Sequence, residues 1–302
     1  MTLSRRIRND WQLYLFLLVP LIYIIIFAYV PMTGAQIAFR RYAARYGIWK
    51  SPWVGLENFI KFFKSYQFVQ VVTNTALLSA LAIAVGFPIP IIFALLMNSV
   101  NKQNFKKVCQ TIVNLPHFIS VVVLVGMLFQ ILNVNTGLYG AVMRFLTGEK
   151  PPDLFANPVN FRIMYVFSGV WQGFGWGSII YLAALAGVSP EMHEAAIIDG
   201  ASRFQRVLHV DIPSILPTIT IMLILRMGTV MSIGFEKVFL MQNSLNLPVS
   251  EVISTYVYKI GLTGVSDFSY STAIGLFNSV INMIMIGIVN FIAGRLGETS
   301  LW

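Results

Sequence analysis

Three hundred and two residues that are 57% hydrophobic and only 11% charged, with a mean hydropathy of +0.73, exclude an ordinary soluble chain, in which about a quarter of residues are charged. The net charge of +9 does not mark a nucleic-acid binder, because the basic residues sit between long apolar runs, where they meet anionic lipid headgroups. A single cysteine, Cys109, excludes an internal disulfide and a thiolate zinc site, and His117, His193 and His209 lack ligand spacing.

In chain order, Arg5, Arg6 and Arg8 precede an uncharged run over 11–39. That run is longer than the ~7–15 residues of a cleaved signal core, so a retained first span is expected. Next come Leu56, Phe59, Ile60 and Phe63 at i, i+3, i+4 and i+7, with Glu57, Lys61 and Lys64 off that stripe. This pattern predicts an amphipathic helix at the membrane interface. Further apolar runs lie within 65–101, 110–143, 163–188, 215–234 and 271–293. Each holds about the 20 residues that a bilayer crossing requires. The runs are continuous rather than alternating, which favours helices over the strands of a closed barrel. The expected fold class is therefore an all-α polytopic membrane protein with six transmembrane helices.

An even number of spans places both termini on one side, with the loops after spans two and four. Basic residues divide almost evenly between the two sides. The compact 101–107 loop, with Lys102, Lys106 and Lys107, leans toward that side being cytoplasmic. The organisation expected is a cytoplasmic N-terminus (1–10), then a first span and external loop with the interfacial helix (11–69). A permease domain of five spans (70–295) and a cytoplasmic C-terminus (296–302) follow.

The loop after span four is the most informative segment. Ser189-Pro190-Glu191 is a helix start, with a hydroxyl cap, a proline at the first position and an acid at the positive dipole end. A short Ala-rich helix then breaks at Gly200, and a second begins near Ser202, ahead of Pro213 and Pro217. A helix–Gly–helix elbow of this kind makes a compact lever. Its residues Glu194-Ala195-Ala196, Gly200 three positions on, and Val210-Asp211-Ile212-Pro213 resemble the EAA loop of type I ABC importer permeases. That pattern has isoleucine and leucine where this chain has Val210 and Ile212. Segments such as Trp53-Val54-Gly55-Leu56-Glu57-Asn58-Phe59 and Gly234-Phe235-Glu236-Lys237-Val238-Phe239 are similar to the polysaccharide- and oligosaccharide-uptake subgroup of the maltose-type permeases.

The resemblance implies a type I ABC importer fold in a bacterial cytoplasmic membrane, with the loop 189–213 on the cytoplasmic side. Glu194, Ala195, Ala196, Asp199, Gly200, Arg203, Arg206 and Pro213 would then form the surface that couples to an ATPase. The partners it implies are a second homologous permease, a nucleotide-binding ATPase dimer and an extracellular solute-binding protein. The chain has no Gly-x-x-x-x-Gly-Lys-[Ser/Thr] phosphate loop, so no cofactor is expected in it; ATP and magnesium would be bound by the ATPase partner. It is expected to be a transport subunit and not an enzyme.

Residues that fit a saccharide path cluster in span four. The segment Trp171-Gln172-Gly173-Phe174-Gly175-Trp176-Gly177, followed by Tyr181, offers indole faces for sugar rings and an amide for hydroxyls. The same glycines also suit close helix packing. Arg226 stands inside span five, where a charge costs about 2.5–3.5 kcal/mol on insertion scales. No acid lies at a span centre to pair with it, so it is expected to face a wet cavity or the partner permease, and it suits a uronate-containing sugar. Asn278, with Asn74 and Asn282, is a further polar group within a span. An ion-coupled secondary sugar transporter is the alternative reading, but intramembrane acids for ion coupling are not visible. A membrane-embedded transferase or hydrolase lacks any pairing of nucleophile with base.

Overall fold

The computed structural model describes residues 11–264 and 266–295; the two terminal segments expected on the cytoplasmic side, 1–10 and 296–302, lie outside the described residues. Among the described residues four helices are long and apolar enough to cross a membrane: α1 (Trp11–Phe39), α3 (Tyr66–Asn98), α9 (Arg203–Met227) and α13 (Phe268–Arg295). Two bent pairs bring the number to six if each is one span. The first pair is α4 (Gln103–Phe118) with α5 (Val121–Ile131), bent by 97°; the second is α7 (Pro158–Ala186) with α8 (Pro190–Ile198), bent by 73°. Shorter helices α2 (Glu57–Lys64), α6 (Leu138–Thr147), α10 (Phe235–Met241), α11 (Leu247–Ser250) and α12 (Ile253–Leu262) connect them.

The chain divides into two compact units. One comprises the residues up to Ser65 together with 257–277. It contains α1, none of whose first fourteen residues is buried, as expected of a helix that is apolar all round and solvated by lipid. The amphipathic α2 buries Phe62, edge-on to Tyr270 and Phe277, and leaves Leu56, Ile60 and Phe63 exposed. Lys61 bonds Asp267 at 2.8 Å and Arg41 bonds Glu57 at 3.0 Å.

The second unit comprises 66–256 and the chain from Asn278, and α7 runs through it. Glycines along α7 let neighbouring segments approach it closely from different sides. A Cβ on Gly175 would collide with the Val113 carbonyl oxygen of α4, and one on Gly177 would sit 3.4 Å from Pro90 of α3. Two apolar clusters flank the middle of α7. One gathers Leu78, Val125, Phe161, Val166, Val238 and Met241; the other gathers Ala94, Leu95, Tyr181, Leu185 and Ile215.

The helices depart from the apolar runs in two places. The third run, expected within 110–143, is not one straight crossing. Pro116 tightens the segment Leu115–Phe118 into a 3₁₀ turn, and Ser120 caps a new helix by accepting from the Val123 amide at 3.3 Å. The chain turns there, and the end of the run becomes the separate α6. The fifth helix begins at Arg203 rather than near 215, because a π-turn over Val207–Asp211 lets it continue past Pro213. Pro213 then falls in the first turn of the next α-helical stretch, where its missing N–H costs little.

Glycine at 175 is therefore a packing requirement. Gly175→Ala is expected to destabilise the protein in detergent by about 1–3 kcal/mol, the usual cost of overpacking. Gly126→Ala, with nothing within 4 Å of the added atom, is expected to leave the thermal unfolding midpoint within error of the parent. The two midpoints measured side by side check this.

Candidate translocation cavity and coupling elbow

Between the two apolar clusters of α7 lies a cavity of about 570 Å³, within the ~300–1,000 Å³ range of small-molecule sites. Gln172, Trp176 and Tyr181 of α7 line it, together with Arg226 from α9. Three of the α7 candidates and Arg226 are thus brought to one space. Trp171 is not: one residue along the helix, it faces a separate apolar cavity of about 430 Å³ with Leu124, Met127 and Phe167. Asn278 is also absent from the lining, and its side-chain oxygen is buried without a hydrogen-bond partner.

Local contacts hold the lining in place. Gln172 donates to the Ile119 carbonyl oxygen at 2.7 Å, which ties α7 to the bend between α4 and α5. Trp176 stacks on His117 of the same bend, with ring centroids 4.6 Å apart and planes 3° from parallel. The bend, which falls inside a run expected to be one straight span, thus positions two residues of the cavity lining. Arg226 has no carboxylate partner among the described residues.

Two other polar groups in spans make interhelical bonds. Asn74 donates to the carbonyl oxygens of Pro248 and Glu251 at 2.9 and 3.1 Å and accepts from Arg162 at 3.3 Å. Asn282 accepts from the Met231 amide at 2.8 Å and donates to Ser232 at 2.8 Å. Asn74 thereby satisfies carbonyl groups at α11, and Asn282 a backbone amide of the non-helical stretch after α9.

Lys237 also lines the cavity, and its position between spans disguised it as a loop charge. It is only 8% exposed. Its ammonium donates to the Tyr165 carbonyl oxygen at 2.9 Å and lies 4.8 Å from the centre of the Tyr165 ring. The sequence signal was slight: a basic residue in an apolar stretch, Val-Phe-Leu-Met, too short to be a span.

The elbow follows directly on the end of α7. Ser189 caps α8 by accepting from the Glu191 amide at 3.3 Å. Gly200 turns the chain in the left-handed region at φ +77°, which costs roughly 1–2 kcal/mol for an L-residue with a side chain. Ser202 and Gln205 then form a reciprocal capping box at the start of α9. Glu194, Ala195, Asp199, Gly200, Arg203 and Pro213 are exposed; Ala196 and Arg206 are partly covered. Ile198 and Phe204, at 85% and 71% exposure, leave an apolar surface beside the acids and arginines.

What the sequence did not reveal is the clasp beneath the elbow. The buried carboxylate of Asp211 meets His193 of α8 at 3.3 Å and accepts from Asn98, at the end of α3, at 3.2 Å. Arg206 adds a positive charge beside the same carboxylate. Because His193 lies 18 positions before Asp211, neither helical periodicity nor motif spacing could pair them.

The comparisons with known proteins agree with this geometry. Residues 86–298 match the model of the binding-protein-dependent transport system inner membrane component. The chain belongs to that family. It is 43% identical to the Protein LplB of Bacillus subtilis (strain 168) over 98% of this chain and 92% of the relative. It is 41% identical to the polygalacturonan/rhamnogalacturonan transport system permease protein YteP of the same strain, over 96% and 90%. Among solved structures it resembles a chain of the bacterial alginate ABC transporter in complex with alginate pentasaccharide-bound periplasmic protein. The TM-score is 0.90 at 35% identity over 99% of each chain. The fold is that of a type I ABC importer permease.

The clasp makes a coupling prediction. His193→Ala and Asp211→Asn should each lower stability, and the double variant should lose less than the sum by about 0.5–3 kcal/mol, as for residues in direct contact. A double-mutant cycle on thermal unfolding of the purified protein checks this; strict additivity would mean that the pair does not interact.

Proposed function

We propose that this chain is the membrane-spanning permease subunit of an ATP-driven importer of oligosaccharides or polysaccharide fragments, in a bacterial cytoplasmic membrane. It forms half of the path, and a second, homologous permease forms the other half. A nucleotide-binding ATPase dimer holds the ATP and magnesium, and an extracellular solute-binding protein delivers the sugar. Both termini and the elbow 189–213 face the cytoplasm. The observation that carries this reading is that α7 has the cavity along its length and the elbow at its end. The family match and the relatives that transport saccharides support it.

Mechanically the elbow is a handle. Capped at Ser189 and Ser202 and fastened through Asp211, it moves as a piece with the ends of α7 and α9. ATP binding to the partner must favour one arrangement of the elbow over another, because a ligand shifts an equilibrium only by its differential affinity. That shift tilts α7 and α9, the two helices that carry Trp176, Tyr181 and Arg226 into the cavity.

Reconstituted with the partner permease, ATPase and binding protein, the parent chain should take up saccharide only with ATP. Gly200→Pro and Glu194→Lys should leave the subunit inserted but lower uptake per ATP hydrolysed by about tenfold or more, a loss of about 1.4 kcal/mol of coupling. Transport measured against phosphate release in the same vesicles decides it, and undiminished uptake removes the elbow from the mechanism.

A further inference from the structure

We infer that Lys237 and Arg226 together form a carboxylate subsite in the cavity, and that Lys237 selects for acidic sugar residues. This deepens the importer reading and rests on it. The cavity lining contains two cations and no acid. Arg226 and Tyr165 also share a smaller adjoining space of about 110 Å³, and Tyr165 carries the Lys237 ammonium on its carbonyl oxygen and over its ring. The two positive groups therefore flank one tyrosine and open into one volume.

No carboxylate among the described residues neutralises either of these two positive charges. Little water reaches the Lys237 side chain, which is 8% exposed, so an entering anion meets a weakly screened charge. Lys237 has three N–H donors, and one is used on the Tyr165 carbonyl oxygen at 2.9 Å. The nitrogen lies against Gly169, where an added Cβ would come within 3.1 Å of it, and Lys237 lines the cavity. A carboxylate entering the cavity accepts from the ammonium and from the guanidinium at once, in charge-assisted bonds that a neutral hydroxymethyl group does not match. Trp176 and Tyr181, on the same lining, offer apolar faces to the sugar ring. Such a subsite takes a uronate unit from a chain passing through.

The test uses the full reconstituted complex, with galacturonate and mannuronate trisaccharides as probes, each beside its carboxyl-reduced neutral counterpart. For the parent, uptake of a uronate should exceed that of its reduced form. Lys237→Met should cut uronate uptake by about tenfold, the worth of one charge-assisted bond, and change neutral uptake by less than about twofold. Lys237→Arg should restore the preference, which a packing role would not predict. Arg226→Gln should lower uronate uptake in the same direction. Equal loss of charged and neutral uptake in Lys237→Met, with the variant still co-purifying with its partners, overturns the subsite and makes the lysine a structural group. A parent that carries neutral trisaccharides and no uronate also overturns it while leaving the importer reading in place. That reading falls only if no saccharide, charged or neutral, enters with ATP.

Discussion

Close approach of backbones along α7 is the constraint on which the rest of the structure depends. In lipid there is little hydrophobic drive to hold helices together, so packing must come from contact geometry. Gly175 admits the α4 backbone, and Gly177, on the opposite side of the helix, admits Pro90 of α3. This fixes the bend at Ile119, because Gln172 and Trp176 reach across to hold it. Gln172 and Trp176, so held, line the cavity, and the remaining length of α7 delivers the elbow to its exposed position. From Tyr165 to Gly187 the helix is roughly 33 Å long at 1.5 Å per residue. A small rotation at one end is therefore a displacement at the other.

The same economy explains where polar groups stand. A span tolerates a polar side chain only when it has a partner or a wet cavity. Asn74 and Asn282 are bonded to backbone groups, and Asp211 is held by His193 and Asn98. Arg226 and Lys237 have no acidic counterpart among the described residues and share a cavity. The contrast separates structural polarity from polarity that is available to a solute.

Much of this was legible in the sequence where one local rule decided the outcome. Ser189-Pro190-Glu191 and Gly200 specified the elbow by capping and by a positive φ, and both are found where expected. Five of the six runs lie on continuous helices. The third failed because hydrophobicity does not register a turn: Pro116 and Ser120 sit in an apolar stretch and still redirect it. Within the site, indole chemistry nominated Trp171 and Trp176 alike, yet only Trp176 lines the cavity that holds Arg226. Lys237 and the His193–Asp211 clasp depend on contacts between distant segments, which a single sequence does not encode in any spacing.

The central claim is that α7 transmits motion between elbow and cavity as a rigid rod. Its most direct test is to insert three glycines between Ala186 and Gly187, so that rod and elbow remain intact but are joined flexibly, and to measure ATP-driven saccharide uptake in the reconstituted complex. The account predicts that ATP hydrolysis persists while uptake falls to background. Uptake at the parent rate across that flexible joint would contradict it.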